Sequence, residues 1–409
     1  MMKFPQNFFW GAATSSYQVE GDNANADWWS WEKQAGKENS GQACRHYEMY
    51  GQDFDLAKGL DHNAHRLSIE WSRIEPKEGE FSQEEIKHYI DVVCALRARN
   101  IEPMVTLHHF TNPFWFSSSG GWTHRRSVER FLRYCDVVTR VLARHVHFWI
   151  TINEPTIYFS HAYLFGVWPP QEKSCLKAKA VHDHLLAAHI QAYPLINKIY
   201  REQNLPKPCI SISQHMSAMV LCADNFRNRF AARLRDQWHN FEILDKLTRH
   251  KTLDFIGVNY YSRHLVDASS WWFGNLLMET GQSHDEAVQK NSLGWDIYPK
   301  GLYQVLLKLK RYGLPVMITE NGICTSDDDL RWEFLLAHLK SVHRAMQEGV
   351  KVTGYLYWSL MDNFEWDKGF GPRFGLIGID YKTYQRTVRE SARKFSQVCK
   401  TGVLPVDPD

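Results

Sequence analysis

The chain has 409 residues, of which 44% are hydrophobic and 23% are charged, as expected for a globular protein with a full core. The formal net charge is only +2 and no basic tract is present, so composition gives no reason to expect nucleic acid or an anionic membrane as a partner. We expect no signal peptide and no membrane span, because no apolar run reaches the roughly 18 residues that a span needs. The eight cysteines are scattered without a CxxC pair, which favours reduced thiols and a cytoplasmic location.

Eight continuously apolar runs predict eight β-strands separated by helical segments. Runs without polar alternation are typical of parallel strands that are covered on both faces. Strands alternating with helices in this number predict an α/β fold, a single (β/α)8 TIM barrel with inserted βα loops that spans 1–409 as one catalytic domain. A doubly wound sheet is the alternative. The predicted strands are 8–14, 64–71, 101–109, 147–153, 209–215, 253–261, 315–321 and 352–360.

Amphipathic helices are predicted between these strands. Ser82 and Glu85 form a capping-box signature that opens one helix. A second apolar stripe covers 128–142, and a third covers 332–346 and ends near Gly349.

Polar residues occur at the ends of seven of the eight predicted strands. In a TIM barrel the C-terminal strand ends form the active site, so these side chains are candidates for a shared site. In chain order they are Tyr17, Gln18, Glu20, Arg66, Glu70, His108, His109, Asn153, Glu154, Asn259, Tyr261, Glu320, Asn321, Trp358, Asp362, Asn363 and Glu365.

Two glutamates stand out, Glu154 in TINEP and Glu320 in ITENG. They follow the fourth and seventh strands, so their carboxylates are expected to face each other across the barrel mouth. Glycoside hydrolysis needs such a pair, one carboxyl holding a proton and the other ionised. If the two carboxyls lie about 5 Å apart, the reaction is expected to retain the configuration of the anomeric carbon, and a wider separation of the carboxyls would indicate inversion.

The motifs of the chain resemble those of glycoside hydrolase family 1, the β-glucosidase and β-galactosidase family with a TIM barrel. The resemblance covers nearly the whole chain, and the motifs follow the family's order. They are FFWGAATSSYQVEG (8–21), HRLSIEWSRI (65–74), TLHHF (106–110), TINEP (151–155), NYY (259–261), ITENG (318–322), YWSLMDNFEW (357–366) and RFGLIGIDY (373–381).

The resemblance implies a retaining exo-β-glycosidase that forms a covalent glycosyl-enzyme intermediate. Glu154 would be the acid/base and Glu320 the nucleophile. Asn153 would bind the sugar 2-hydroxyl. Arg66 and Tyr261 would contact Glu320, with Asn259 also supporting the nucleophile; by opposite charge and hydrogen bonding, Arg66 and Tyr261 should keep Glu320 ionised.

The resemblance also implies a binding site for the glycone, the sugar that is released. Gln18, His109 and Glu365 would bind its hydroxyls, Trp358 would form the floor under the ring, and Trp366 would donate its indole N–H to a hydroxyl.

The chain departs from the family pattern in loops on the side of the leaving group. It has GVWPPQ after the acid/base region and FTNP after His109, which leaves the natural aglycone open. Relatives that act on 6-phosphorylated sugars usually replace the residue equivalent to Glu365. Because Glu365 is present and would repel a phosphate, we expect unphosphorylated sugars, with 6-phospho-β-glycosides as an alternative.

No metal and no other cofactor is expected. The closely spaced histidines do not form HExxH, and His182 and His184 would point to different faces of a helix. A glycine-rich nucleotide loop is also absent from the sequence. The expected partners are small β-glycosides or oligosaccharides.

Several alternatives remain open at this stage. A transglycosylase would use the same intermediate, and a non-catalytic sugar-binding relative would lack one of the glutamates that are present here. Glucose, galactose and fucose are not distinguished by the motifs, nor is the oligomeric state. The segment SSWWFGNLLM (269–278) either covers the site, meets a partner or packs on the barrel rim.

Overall fold

Eight parallel β-strands form a closed barrel in the computed structural model, which describes residues 2–268 and 288–405. Each strand pairs with the next one along the chain, and the last pairs with the first. All eight predicted strands and the predicted TIM barrel are confirmed, and barrel closure rules out the doubly wound sheet. The strands are β1 Phe9–Ala13, β2 Ala64–Ser68, β3 Glu102–His108, β4 Phe148–Asn153, β5 Cys209–Leu221, β6 Ile256–Val266, β7 Val316–Asn321 and β8 Val352–Trp358.

Strands β5 and β6 continue past the positions at which the sequence predicted their ends. Beyond the barrel they remain paired, with Ala218 opposite Arg263 and Leu221 opposite Val266. The extension depends on this mutual pairing, which the apolar pattern of either segment alone does not reveal. The two paired strands therefore extend beyond the barrel on one side of its C-terminal end. The segment 269–278 lies outside the described residues.

The helices follow the strands as the alternating pattern predicted. Ser82 accepts a 3.3 Å hydrogen bond from the Glu85 amide, which confirms the predicted cap. Gly349, with a φ of +88°, follows the third predicted helix, where a left-handed conformation favours glycine. The α-helices are α1 Ser16–Val19, α2 Asp27–Gln34, α3 His46–Gly59, α4 Trp71–Ile74, α5 Gln83–Ala98, α6 Phe114–Ser118, α7 Ser127–Leu142, α8 Pro155–Phe159, α9 Cys175–Glu202, α10 Phe226–Arg235, α11 Glu242–Arg249, α12 Pro299–Leu309, α13 Asp328–Gln347 and α14 Glu390–Thr401.

The inside of the barrel is a packed core. Met104, Ile150, Met317 and Leu356, from four different strands, lie in one buried cluster. Full burial of a side chain of this size stabilises the fold by about 1.5–3 kcal/mol. The filled interior leaves the C-terminal ends of the strands as the place where a ligand can bind.

A short hairpin braces the loop that follows β8. Its strands are β9 Ile377–Ile379 and β10 Arg386–Val388, which pair antiparallel. Asp362, in the loop, is buried and pairs with Arg389 at 2.7 Å, and it accepts a hydrogen bond from the Gly375 amide at 2.9 Å. These contacts fix the loop that carries Glu365.

Neither a membrane-spanning helix nor a metal cluster is present in the part of the chain that the structure describes. No helix there is long and apolar enough to cross a bilayer. No group of three or more His, Cys, Asp or Glu side chains there is arranged to hold a metal ion.

Candidate active site

The TINEP motif turns a strand directly into a helix. Asn153 is the last residue of β4, and Pro155 opens α8. Glu154 lies between them in a left-handed conformation, with a φ of +42°, and its amide donates a 2.7 Å hydrogen bond to the Ser213 carbonyl. Such a conformation costs about 1–3 kcal/mol for a residue other than glycine and is typical of functional sites. The turn places the Asn153 and Glu154 side chains together at the barrel mouth.

Glu320 lies near the end of β7 and is buried. Its Oε1 pairs with Nη1 of Arg66, a residue of β2 that is itself fully buried. Its Oε2 accepts a 2.6 Å hydrogen bond from the hydroxyl of Tyr261 on β6. Arg66 also donates to Asn153 Oδ1 at 2.6 Å and to Thr106 Oγ1 at 3.0 Å. The guanidinium therefore joins the strand ends of Glu320 and Asn153 in one network.

Asn259 contacts Glu154 and lies opposite Glu320 in the pairing of β6 with β7. Its Nδ2 donates to Glu154 Oε1 at 2.7 Å and to Asn153 Oδ1 at 3.1 Å, and its Oδ1 accepts a 2.7 Å hydrogen bond from Thr319. Its side chain also lowers the pKa of Glu320 through a hydrogen bond. The family resemblance implied that Asn259 supports Glu320. Its shortest contact with a carboxylate is instead with Glu154.

The two carboxyls have different surroundings. Burial, followed by the like charge of Glu320, raises the pKa of Glu154 well above its usual value. Burial also raises the pKa of Glu320, but the charge of Arg66 and the hydrogen bond from Tyr261 oppose that rise. Burial and the charge of Glu320 raise the pKa of Tyr261, so its phenol keeps the proton that it donates. The arrangement favours a protonated Glu154 beside an ionised Glu320.

Gln18 and Glu365 form a second polar group on the other side of the mouth. Gln18 Nε2 donates to the Phe364 carbonyl at 2.9 Å, and it lies 3.3 Å from Glu365 Oε2. Ser15 donates a 2.7 Å hydrogen bond to Gln18 Oε1, which fixes the orientation of the amide. Burial, followed by the charges of Glu320 and Asp367, raises the pKa of Glu365 to about 8.

Aromatic rings line the space between these groups. The His109 ring lies nearly parallel to Trp358, with centroids 5.9 Å apart, and to Trp366, with centroids 6.1 Å apart. Burial and the nearby Arg66 charge hold the pKa of His109 well below its usual value, so the ring is neutral. Asn153 Nδ2 lies 3.3 Å from His109 Nε2, whereas Nδ1 is buried and has no hydrogen-bond partner in the described structure.

The structure thus brings one group of the candidates together at the C-terminal end of the barrel: Gln18, Arg66, His109, Asn153, Glu154, Asn259, Tyr261, Glu320, Trp358, Glu365 and Trp366. Other strand-end candidates make their contacts elsewhere: Tyr17 donates to Glu32, Glu20 pairs with Arg73, Glu70 accepts from Ser72 and Thr111, His108 contacts Asn112, Asn321 donates to the Tyr260 carbonyl, and Asp362 pairs with Arg389.

The structure also adds residues that the sequence analysis did not single out. Thr319 stands beside Glu320 in the quoted ITENG motif. His215 lies at the C-terminal part of β5, the one strand to which no polar end was assigned, and its ring lies parallel to Tyr261 with centroids 6.1 Å apart. The polar pair QH at 214–215 was the available signal for this position.

Comparisons with known proteins agree on one family. Residues 1–249 and 210–403 match the sequence profile described as glycosyl hydrolase family 1. A β-glycosidase from Pyrococcus horikoshii is 39% identical, with a TM-score of 0.92 over 99% of this chain and 97% of that chain. β-Glucosidase A of Thermotoga maritima is 32% identical over 98% of this chain and 99% of its own length. A Thermotoga maritima β-glucosidase in complex with glucoimidazole is 30% identical, with a TM-score of 0.89 over 98% of this chain and 100% of that chain. The chain therefore belongs to glycosyl hydrolase family 1.

Proposed function

We propose that the protein is a retaining exo-β-glycosidase that removes one β-linked sugar from the non-reducing end of small β-glycosides or oligosaccharides. The observation that carries this proposal is the pair of buried glutamates joined by one hydrogen-bond network through Arg66, Asn153 and Asn259. The Glu320 carboxyl is paired with Arg66, and the Glu154 carboxyl accepts a hydrogen bond from the neutral amide of Asn259. The reaction needs no cofactor.

In the first step Glu320 attacks the anomeric carbon, and the bond from that carbon to the leaving oxygen breaks. Glu154 gives its proton to the leaving oxygen as the bond breaks. The raised pKa of Glu154 suits this role because the carboxyl must hold a proton near neutral pH. The product of this step is a glycosyl ester of Glu320 and a free aglycone.

In the second step water attacks the anomeric carbon of the ester. Glu154, now ionised, takes a proton from that water, and Glu320 leaves as a carboxylate. Once Glu320 is esterified its negative charge is gone, so the pKa of Glu154 falls and the carboxylate form needed for the base is favoured. Two inversions at one carbon give net retention.

Retention rather than inversion is supported by the position of Asn259. Asn259 donates to Glu154 Oε1 at 2.7 Å and lies opposite Glu320 in the pairing of β6 with β7, so the two carboxyls lie close together. A retaining pair is separated by about 5 Å, whereas an inverting pair stands wider to hold a water between the carboxyl and the sugar.

The glycone is proposed to bind between the aromatic rings and the polar groups around them. Trp358 forms the floor under the ring, and Gln18, Glu365, His109 and Trp366 bind its hydroxyls. Aromatic faces suit the apolar C–H side of a sugar, while the polar groups fix its orientation. Asn153, held by Arg66 and Asn259, is placed to bind the 2-hydroxyl.

Unphosphorylated sugars are favoured by the charges around Glu365. Burial, followed by the charges of Glu320 and Asp367, raises the pKa of Glu365, and those two negative charges would also repel a phosphate bound beside it. A phosphate on the sugar would add a dianion to this region. Lys368 is a nearby cation, and it lies 57% exposed and paired with Asp367.

We further propose that residues 1–409 form one catalytic domain and that the protein works in a reducing, cytoplasmic compartment. All eight cysteines are free thiols, and four of them are buried. Buried thiols of this kind are typical of proteins that are kept reduced.

Hydrolysis of aryl β-glucoside, β-galactoside, β-fucoside and 6-phospho-β-glucoside by the wild type and by Glu320→Ala tests this proposal. We expect turnover of at least one unphosphorylated glycoside by the wild type and none by the variant. A folded wild type that hydrolyses none of the four, yet binds a sugar on titration, would overturn the enzyme in favour of a sugar-binding protein.

A further inference from the structure

The loop between α8 and α9 carries a tryptophan, Trp168, in the stretch GVWPPQ that departs from the family pattern. Backbone hydrogen bonds fold this loop back on the segment before it, and the Val167 amide donates to the His161 carbonyl at 2.9 Å. Gly166 permits the turn, because its φ is +66° and a Cβ there would lie 2.8 Å from a neighbouring side chain. Pro169 biases the backbone of Trp168 towards extended conformations. The local sequence therefore fixes the position of this tryptophan.

Trp168 is buried among aromatic rings that reach the glycone side of the proposed site. Its ring centroid lies 5.0 Å from that of Phe110 and 6.1 Å from that of Trp366. Trp28 packs against both tryptophans, at 5.5 Å from Trp168 and 4.7 Å from Trp366. The stretch GVWPPQ is expected from the sequence on the side of the leaving group, whereas its tryptophan packs against a residue that is proposed to bind the glycone.

A hydrogen bond joins Trp168 to the turn at 365–369, which carries two proposed glycone-binding residues. The indole Nε1 of Trp168 donates to Asp367 Oδ1 at 3.1 Å. Asp367 directly follows Glu365 and Trp366 in the chain. Its side chain is only 18% exposed, so water competes little for this acceptor. Hydrogen bonds to an ionised carboxylate are roughly twice as strong as those between neutral groups.

This turn depends on its surroundings for its conformation. Trp366 has a φ of +51°, a left-handed conformation that is unfavourable for a bulky residue and persists only where neighbouring groups hold it. Among the described residues, side-chain hydrogen bonds join the turn to the rest of the fold at two points. Gln18 lies 3.3 Å from the carboxyl of Glu365, and Trp168 donates to Asp367.

We propose that Trp168 is a positioning residue for sugar recognition, which acts through its hydrogen bond to Asp367 and its ring contact with Trp366. It sets where the hydroxyl-binding side chains of the turn stand relative to Glu320. The inference rests on the proposed exo-β-glycosidase function and adds a residue that determines which sugars are accepted. Trp168 does this without touching the sugar. Loss of its indole N–H leaves Gln18 as the side chain that holds the turn.

A displaced turn should change sugar discrimination more than the chemical step. The acid/base and the nucleophile are on β4 and β7, and Arg66 and Asn259 hold them independently of the turn. A β-galactoside and a β-fucoside differ only in the 6-hydroxyl, and a β-glucoside and a β-galactoside differ only in the orientation of the 4-hydroxyl. The ratio of kcat/KM within each pair therefore reports on one hydroxyl. Such a ratio does not depend on how much of the enzyme is folded.

Trp168→Phe tests the proposal because it keeps an aromatic ring and removes the indole N–H. We expect at least one of the two ratios, measured with aryl glycosides, to change by about tenfold or more. Trp149→Phe is the matched control. Trp149 is also buried, and its indole donates a 2.7 Å hydrogen bond to Tyr200 near the N-terminal end of β4, away from the barrel mouth. Both variants should have a lower Tm, but only Trp168→Phe should change the ratios.

Asp367→Ala tests the same hydrogen bond from its acceptor. We expect the same ratio to change in the same direction, and Trp168→Phe to change it by less than about twofold more in the Asp367→Ala background, since the bond is already absent. Ratios that stay within about twofold of wild type in Trp168→Phe would overturn the proposal. Full additivity of the two variants would also overturn it, because the two residues would then act separately.

Failure of the proposed function would be seen in a different result. A folded wild type that hydrolyses none of the three glycosides would count against the glycosidase. The dissociation constants of glucose, galactose and fucose, measured by calorimetric titration of the same variants, would then test the positioning role. The same tenfold change in a ratio of these constants is expected for Trp168→Phe, and ratios equal to those of wild type would overturn that role.

Discussion

The Tyr261 hydroxyl donates a 2.6 Å hydrogen bond to Oε2 of Glu320, and the Arg66 guanidinium pairs with the other oxygen of that carboxylate. Glu154 instead accepts its 2.7 Å hydrogen bond from the neutral Asn259 amide. Both carboxyls are buried, but among the described residues Glu320 pairs with a cation and Glu154 does not, so only the charge of Glu320 is offset at contact distance. This difference supports the proposal that Glu154 holds the proton and Glu320 is the nucleophile.

Glu320→Ala should reduce turnover by about 10³-fold or more, because no carboxylate remains to form the glycosyl ester. Added azide should restore turnover of an activated aryl glycoside and give the α-glycosyl azide. Circular dichroism checks that the variant is folded. Activity close to wild type on an ordinary disaccharide would remove Glu320 from the mechanism.

Glu154→Ala should lose about 10²–10⁴-fold on glycosides with poor leaving groups, since their oxygen needs a proton in order to depart. Aryl glycosides with acidic phenols should be far less affected in the first step. A series of aryl glycosides of graded phenol acidity measures this contrast. An equal loss across the series would show that Glu154 is not the acid.

The pH profile of kcat/KM should be bell-shaped. Activity is lost as pH falls through the pKa of Glu320, because the nucleophile becomes protonated, and as pH rises through the pKa of Glu154, because the acid loses its proton. Glu320→Gln removes the like charge that raises the pKa of Glu154, so that pKa should fall. Carbon NMR of labelled glutamate measures the change, and an unchanged or higher value would contradict the assigned cause.

The conservative variant Tyr261→Phe should move mainly one limb of that profile. Tyr261→Phe removes a hydrogen bond to ionised Glu320, so the pKa of Glu320 rises and the acidic limb shifts to higher pH. Its kcat should fall by about 10–100-fold, as expected for the loss of a hydrogen bond to a charged group. The basic limb, which reports Glu154, should move much less. A shift confined to the basic limb would argue against this placement of Tyr261.

Asn259→Ala tests the link between the two carboxyls. Its hydrogen bonds lower the pKa of both Glu154 and Glu320, so both limbs should shift to higher pH when they are removed. Thr319→Val is the matched control, because it frees the Asn259 amide to rotate but leaves the amide in place. The control should shift the limbs less than Asn259→Ala. No shift in either variant would show that the amide does not bridge the pair.

The sequence predicted the barrel and its eight strands because parallel strands that are buried on both faces have continuously apolar runs. It did not predict that β5 and β6 extend to Leu221 and Val266, since that extension depends on pairing between two distant segments. The motifs identified the residues that meet at the mouth. They did not reveal that Asn259 contacts Glu154, or that His215 packs against Tyr261, because such contacts depend on strand register and side-chain geometry.

The exposed surface was also only partly predictable from the sequence. Exposed Phe226 and Phe230 stand in a segment whose arginines are visible in the sequence. The net charge of the whole chain averages those arginines with acids elsewhere, and exposure is known only once the helix is packed on the barrel wall.

The stereochemistry of the first-formed product tests the central claim most directly. Proton NMR of the hydrolysis of an aryl β-glycoside, recorded before the sugar mutarotates, identifies that anomer. Glu320 acting as a nucleophile with Glu154 as acid and base predicts that the β-anomer forms first and that Glu320→Ala forms none. The α-anomer as first product would mean that water attacks directly, and it would contradict the covalent intermediate.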